Sequence, residues 1–401
     1  DCYLIDGSLS SSDAEKAARA LASPVTQEFR INASVTDIDF DHAIEIGFLP
    51  GVTDNVAHTA REVIEDLLKM PLDREKSVVS STAMYLKGIS ADDAVRAARE
   101  RAGVEGSQVD ECIMGNVVSA GLGQAPARQA ALAAGLPTAT GCTTINKVCG
   151  PGMKAVRLAH DLIKAGSAKA VVAGGMESMT NAPHLLNGSR NGIRFGNGEL
   201  VDHMAWDGLT NPEDGKAMGV FGDAACAKYG YDRAAVDAFA AESARRAQAA
   251  QANDAFAGEI AAVTVKTRKG EVVVDKDEEP GKIDLNKIPE LRPAFGKEGV
   301  LTAASSSKIS DGAAALVVMS AEAAEAAGAK PLARIVAHAT HAQAPEWFTT
   351  APVSALKNVL DKAGWSVADV DLFEVNEAFA CVAMAPMSDL GIPHDKLNVN
   401  G

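Results

Sequence analysis

The sequence predicts an α/β fold over its last three-quarters, preceded by a small α+β module. Three observations carry this. From about residue 101, short runs of Val, Ile and Ala alternate with longer Ala-rich stretches of helical period. Gly-rich links stand where a strand would hand over to a helix, as at Cys149-Gly150-Pro151-Gly152. Over residues 1–98 the order is instead strand-helix-strand, twice. The chain has 401 residues, enough for two or three domains with real cores. Its hydrophobic fraction is 47% but its aromatic fraction only 4%, so Ala and Gly supply much of the packing, as in closely packed α/β enzymes.

Residues 2–5 form a short apolar strand, and residues 10–21 a helix with Ser12 and Asp13 at its start. Residues 27–31 give a second strand. Residues 39–48 alternate as a third, and Pro50-Gly51 turns the chain. Residues 54–68 place Val56, Ala60, Val63, Ile64 and Leu67 on one helical face. Residues 77–85 form the last strand, completing a ferredoxin-like pattern. The segments Tyr3-Leu4-Ile5-Asp6-Gly7, Pro24-Val25-Thr26-Gln27-Glu28 and Leu49-Pro50-Gly51-Val52-Thr53-Asp54 resemble the N-terminal, PurS-like region of the large subunit of phosphoribosylformylglycinamidine synthase. A generic ferredoxin-like accessory module stays open beside that likeness.

Further along, residues 108–117 give a helix exit and a strand, and residues 121–130 a loop entering a helix. The helix after Cys149 runs to about Ala165. Residues 168–173 are a near-continuous apolar strand, as in a buried sheet, and end in the glycine turn Gly174-Gly175. Residues 180–300 carry more Gly, Pro, Asn and charge, with a helical piece over 232–253 and an exposed acidic turn over 275–279; they read as an insertion over the sheet. Residues 311–319 return to the sheet and echo the earlier Ala-rich strand.

The net charge of −15 argues against a nucleic-acid or anionic-membrane partner. Local Lys and Arg can still hold a phosphorylated ligand. The six cysteines are scattered with no C-x-x-C pair, so neither a zinc site nor a disulfide framework is expected, and a reducing cytoplasm fits. No apolar run approaches membrane-spanning length, and the first residues read as domain interior, not as a targeting segment. P-loop, dinucleotide and H-E-x-x-H patterns are absent.

Cys149 is the candidate nucleophile. The run Ile145-Asn146-Lys147-Val148-Cys149-Gly150-Pro151-Gly152-Met153-Lys154 sets a thiol between a β-type run and a helix start. Unpaired N–H groups and the positive end of the helix dipole there favour thiolate and can hold a developing oxyanion. A buried small cysteine is the alternative. The stretch resembles the nucleophile motif of thiolases (acetyl-CoA acetyltransferases), with Pro151 where the family has Ser between the glycines; Pro is tolerated in a first helical turn but removes one N–H.

That resemblance runs from about Arg101 to the end. It implies a thiolase-like layered αβαβα fold with its second half incomplete. The expected division is 1–98 accessory module, 99–178 nucleophile half, 179–300 loop domain over a coenzyme A channel, and 301–401 second half. Glu374-Val375-Asn376-Glu377-Ala378-Phe379 matches the family's N-E-A-F motif, which gives Asn376 the role of positioning a water that donates to the thioester oxygen; an Asn helix cap is the alternative. Glu377 would orient its neighbours. Leu291-Arg292-Pro293-Ala294-Phe295 and Leu301-Thr302-Ala303-Ala304-Ser305-Ser306-Ser307 resemble the family's channel-lining segments, so Phe295 would pack on pantetheine and Ser307 hydrogen-bond it. Met218-Gly219 resembles a further pantetheine contact, although Ala217 stands where the family often has His. Lys282, Lys287, Arg292 and Lys297 are candidates for the phosphates or are solvated surface charges. His184, Cys142 and Cys381 read as packing residues.

The implied reaction is two-step acyl transfer: condensation of two acetyl-CoA to acetoacetyl-CoA, or its reverse. Coenzyme A enters as substrate carrier, with no further cofactor and no metal, and the implied assembly is a homo-oligomer. The family's Gly-His-Pro histidine and its second, Gly-loop cysteine do not occur in the sequence, which predicts impaired turnover. A ketoacyl-synthase-like condensing enzyme is disfavoured by Asn376-Glu377-Ala378-Phe379. A non-catalytic fusion or scaffold, or a purine-biosynthesis accessory module, is the remaining alternative.

Overall fold

The computed structural model describes the backbone of three strands within the first 90 residues, and residues 91–401 except 194, 268 and 269. The helices expected over 10–21 and 54–68, and the strand over 27–31, lie outside the described residues. The chain divides into two compact units: Asp1–Gly88 with Ala262–Val274, and Ile89–Ala261 with Asp275–Gly401.

In the first unit, β1 (Cys2–Ile5), β2 (His42–Gly47) and β3 (Val78–Leu86) form an antiparallel sheet in the order β1-β3-β2. Cys2 lies opposite Ser81 and His42 opposite Leu86. These strands fall where the sequence predicts them, over residues 2–5, 39–48 and 77–85. Two further strands of the chain, Val263–Thr267 and Gly270–Val274, make an antiparallel ladder of their own.

The second unit is built on β4 (Glu111–Gly115), β5 (Gly141–Ile145), β6 (Ala170–Ser178) and β11 (Asp311–Met319), the numbering keeping chain order across β7 (His184–Leu186), β8 (Leu200–Asp202), β9 (Val263–Thr267) and β10 (Gly270–Val274). The sheet order is β11-β6-β4-β5. β4 runs parallel to both neighbours, and β11 runs antiparallel to β6. The Ala-rich run over 311–319 therefore returns to the sheet and pairs directly with the strand it echoes, Leu316 opposite Ala173.

Successive residues of a strand face opposite sides, and β4 shows this plainly. Cys112 and Met114 pack with Val95 of α1 (Ala91–Ala102) and with Ala127, Ala130 and Ala131 of α2 (Pro126–Ala133). Ile113 turns the other way, onto Ala155 and Ala159 of α3 (Pro151–Lys164). Small alanines on all three helices let them lie close to the sheet. Each larger aliphatic side chain buried between them stabilises by roughly 1.5–3 kcal/mol.

After a short helix α4 (His203–Gly208), a separate core gathers α5 (Met218–Tyr229), α6 (Arg233–Ala252), α7 (Ala351–Ala363) and α8 (Ala380–Leu390). Cys226 of α5, Val236 and Phe239 of α6, and Cys381 and Val382 of α8 close around Leu301, Phe373, Val375, Phe379 and Leu397. Cys381 is core, as expected. Asp232 caps α6 by accepting from the Ala235 N–H at 2.8 Å. Residues 371–379 run extended, Phe373 bridging Leu397 in parallel.

Candidate active site

The elbow between β5 and α3 is built from local hydrogen bonds. Asn146 Oδ1 accepts from the Val148 N–H at 2.9 Å, and the Lys147 carbonyl accepts from the Gly150 N–H at 3.0 Å. Val148 is forced to φ 43°, a left-handed conformation that a β-branched residue adopts only under strain. Gly150 caps α3 and Pro151 takes its first position, where a missing N–H costs the helix nothing. Under the elbow, a Cβ on Gly115 would lie 2.6 Å from Pro151, so only glycine at the end of β4 admits the helix this close.

Cys149 is thereby presented at the mouth of α3 and is exposed. The helix end favours thiolate, and partial burial of the sulfur opposes it. Withdrawal of the sulfur from water pushes the thiol above its ordinary range, and the hydrogen bond from its own backbone N–H offsets this only in part.

A cavity of about 400 Å³ adjoins the elbow, lined in part by Asn116, Ser119, Thr144, Ile145 and Asn146. Its lining residue Asn116 is held by Glu177. That carboxylate accepts from Asn116 Nδ2 at 2.9 Å and from the backbone N–H groups of Val117 at 2.9 Å and Val118 at 3.0 Å. Burial nevertheless raises its pKa. Buried His203 accepts at Nε2 from the Ala120 N–H at 3.2 Å and binds Asp207 through Nδ1 at 2.5 Å. Glu177 and His203 hold the loop that follows β4. Sequence reasoning missed both, because the loop groups they hold are 59 or more residues away in the chain.

A second constellation surrounds Asn376. This residue is exposed on the extended segment before α8 and is not a helix cap; Phe379 holds that position. Buried Asn398 fixes the backbone beside it. Its Oδ1 accepts from the Val375 N–H at 2.8 Å, and its Nδ2 donates to the Val375 carbonyl at 2.8 Å and to Glu377 Oε1 at 2.6 Å. Ser243 donates to Glu377 Oε2 at 2.8 Å. Glu377 thus orients its neighbours, as expected.

The candidate ligand-contacting residues gather on this segment. Phe295 meets Phe379 edge to face with ring centres 5.6 Å apart, and Met218 packs on the same core. Ser307 donates its N–H to the Ala378 carbonyl at 3.0 Å and leaves its side chain exposed. Of the four basic candidates, Lys282 pairs with Glu279 at 2.9 Å and Lys287 with Asp284 at 3.6 Å, which favours the solvated-surface reading for those two. His184 is exposed on the short strand β7 and does not pack as expected, since its partner β8 leaves one face open. Cys142 is only half-buried, its Sγ reaching the Thr140 carbonyl.

A mixed sheet with a cysteine lifted onto a strand-to-helix elbow is the arrangement of an α/β enzyme that works through a thiol nucleophile. The chain belongs to the thiolase family, whose N-terminal domain matches residues 76–322 and whose C-terminal domain matches residues 329–401. An acetyl-CoA acetyltransferase of Schizosaccharomyces pombe is 47% identical over 310 residues, covering 77% of this chain and 78% of the relative. Acetyl-CoA acetyltransferase 1 of Arabidopsis thaliana is 44% identical over 356 residues, covering 88% and 85%. The Acat5 thiolase of Ascaris suum, solved in complex with coenzyme A, superposes with a TM-score of 0.73 at 38% identity over 78% of this chain and 81% of that one. The chain is therefore a thiolase-type acyltransferase. No helix among the described residues is long and apolar enough to cross a membrane.

Proposed function

We propose that this chain transfers acetyl groups between coenzyme A thioesters through an acyl-enzyme on Cys149. The observation that carries the reading is the strained elbow, which lifts one thiol to the mouth of α3. The Cys149 sulfur attacks the thioester carbonyl. A new C–S bond forms to the protein, the bond to the coenzyme A sulfur breaks, and the thiol proton passes by way of a base to the departing thiolate. Asn376 polarises the carbonyl through a bound water, an uncharged donor that consumes no proton. Met218, Phe295 and Ser307 hold the pantetheine arm, with coenzyme A as carrier and no further cofactor. A second acetyl-CoA gives up an α-proton, its α-carbon bonds to the acyl carbon as the bond to the Cys149 sulfur breaks, and the freed thiolate takes up a proton, giving acetoacetyl-CoA; thiolysis is the reverse.

The raised Cys149 thiol makes the base decisive. No Gly-His-Pro histidine and no second Gly-loop cysteine occur in these 401 residues. A polypeptide of these residues alone accepts an acetyl group slowly and lacks full turnover. Incubation with acetyl-CoA followed by intact-mass measurement should show one acetyl group gained per chain, absent in Cys149→Ser. Rapid condensation by this polypeptide would sink the claim that the missing groups matter.

A second reading rests on strands β1, β2 and β3, which form an antiparallel sheet with β3 at its centre. It is a PurS-like module over residues 1–98, followed by nucleophile half 99–178, loop domain 179–300 and second half 301–401. On this reading the chain is a scaffold or purine-biosynthesis accessory. Co-purification with a glutamine amidotransferase, together with a Cys149 that resists thiol labelling, would favour it. The acyltransferase reading also carries a cytoplasmic setting and a homo-oligomer, checked by fractionation and by light scattering.

A further inference from the structure

Helix α3 carries a cluster that the acyl-transfer reading does not use. His160 and Asp161 lie in its second half, about 14 Å along the axis from Pro151 at 1.5 Å per residue. His338 approaches from the irregular stretch over residues 329–344. His338 Nε2 is 2.8 Å from Asp161 Oδ1, and His160 Nδ1 is 3.3 Å from the same oxygen. The two imidazoles meet edge to face with centres 5.0 Å apart. One donor atom from each of the three residues lies within 4.8 Å of the others. Both histidine side chains are 20% exposed and Asp161 is 51% exposed, so the cluster is partly sheltered yet open to an ion from solvent.

These spacings fit one chemistry. A tetrahedral zinc-class cation with ligand bonds of ~2.0–2.1 Å sets its donor atoms about 3.3 Å apart and its imidazole centres about 5 Å apart. Two imidazoles with one carboxylate suit zinc-class ions and not the oxygen-seeking magnesium or calcium. We propose that His160, Asp161 and His338 form a binding site for a zinc-class divalent cation, which clasps the 329–344 stretch to the nucleophile helix.

Arg157 sets the cost of filling it. Its Nε–H donates to His338 Nδ1 at 3.2 Å, which leaves the ring proton on Nε2, facing Asp161. Metal ligation needs the Nε2 lone pair, so the proton moves to Nδ1 and Arg157 must leave. Asp161 stands four residues further along the same helix, so the guanidinium finds its second carboxylate oxygen one turn away. A ligating histidine then holds its other N–H free for water or a carbonyl, the usual outer arrangement.

The test is calorimetric titration of the whole chain with Zn²⁺ alone, alongside its Co²⁺ absorption spectrum. One Zn²⁺ should bind per chain, with a rise in thermal midpoint. His160→Gln and His338→Gln should each weaken binding about tenfold or more, the scale on which metal sites respond to lost partners. Arg157→Gln should tighten it, which a merely structural role would not do. If His338→Gln fails to fold, Asp161→Asn must show the same weakening. Absence of binding, binding that survives the substitutions, or a cobalt spectrum with a thiolate charge-transfer band, which would put the ion on Cys149, would each overturn the proposal.

Discussion

The ring of Phe295 occupies the space that a Cβ on Gly219 would need. Gly219 is the second residue of α5, and the absence of a side chain there lets Phe295 lie flat on the helix while its edge meets Phe379. Gly219→Ala should push the ring off Phe379. Overpacking of this kind costs typically 1–3 kcal/mol. Chemical unfolding would measure that loss, and calorimetry with coenzyme A would show weaker binding if Phe295 contacts the pantetheine arm.

Asn398 replaces a missing backbone partner for Val375. It sits at φ 47°, a left-handed conformation Asn tolerates, and is 4% exposed. Asn398→Ala leaves the N–H and carbonyl of Val375 unpaired in the interior, at a cost of roughly 1–3 kcal/mol per stranded group. Urea unfolding should register the loss. Acylation should slow as well, since Asn376 follows directly on the same segment.

The Cys149 thiol should titrate above about pH 8.5, the ordinary thiol midpoint. The sign follows from desolvation: the charged form is the one disfavoured, so the thiolate is scarce at neutral pH. The rate of iodoacetamide alkylation at Cys149 should still be climbing where a free thiol has levelled off. A plateau below pH 7 would show that the helix dipole dominates after all.

Glu242 gives a prediction at the acid end. The Arg245 guanidinium beside it, assisted by Arg246, holds its carboxyl down at about 2. The folded pKa is depressed, so the stabilisation is present above the unfolded value of about 4.3 and fades as pH falls toward 2. Glu242→Gln should lower the thermal midpoint at pH 7, with the difference shrinking through that window. Arg246 also donates to the carbonyls of His394, Leu397 and Asn398, so Arg246→Ala should cost more than Glu242→Gln.

Local signals made much of this legible in the sequence. Asp232 announced the start of α6, and apolar runs and alternation located β1, β2 and β3, while β9 and β10 went unseen. The Gly-Pro-Gly turn marked the elbow, because glycine and proline constrain the backbone wherever they stand. What depended on packing was hidden. The direction of the Cys149 shift follows from how much water its sulfur keeps, which no motif states. Asn398 was unremarkable in the chain, yet it grips residues 21 and 23 positions earlier. His338 and Asp161 are 177 residues apart, and nothing in either neighbourhood points to the other. His184 follows a proline in a stretch that reads as packed, but its two-stranded ladder leaves it in solvent.

The left-handed turn at Val148 ties the thiol's position to the stability of everything around it. A strained residue of this sort stores of order 1–3 kcal/mol, held in place by β5 on one side and α3 on the other. Local openings draw first on segments with the least to lose, and a loaded spring has less to lose than a relaxed one. On warming, the elbow should let go before the sheet melts. Acylation of Cys149 should then decline several degrees below the unfolding midpoint, making the thiol an early gauge of heat damage while the rest of the chain is still folded.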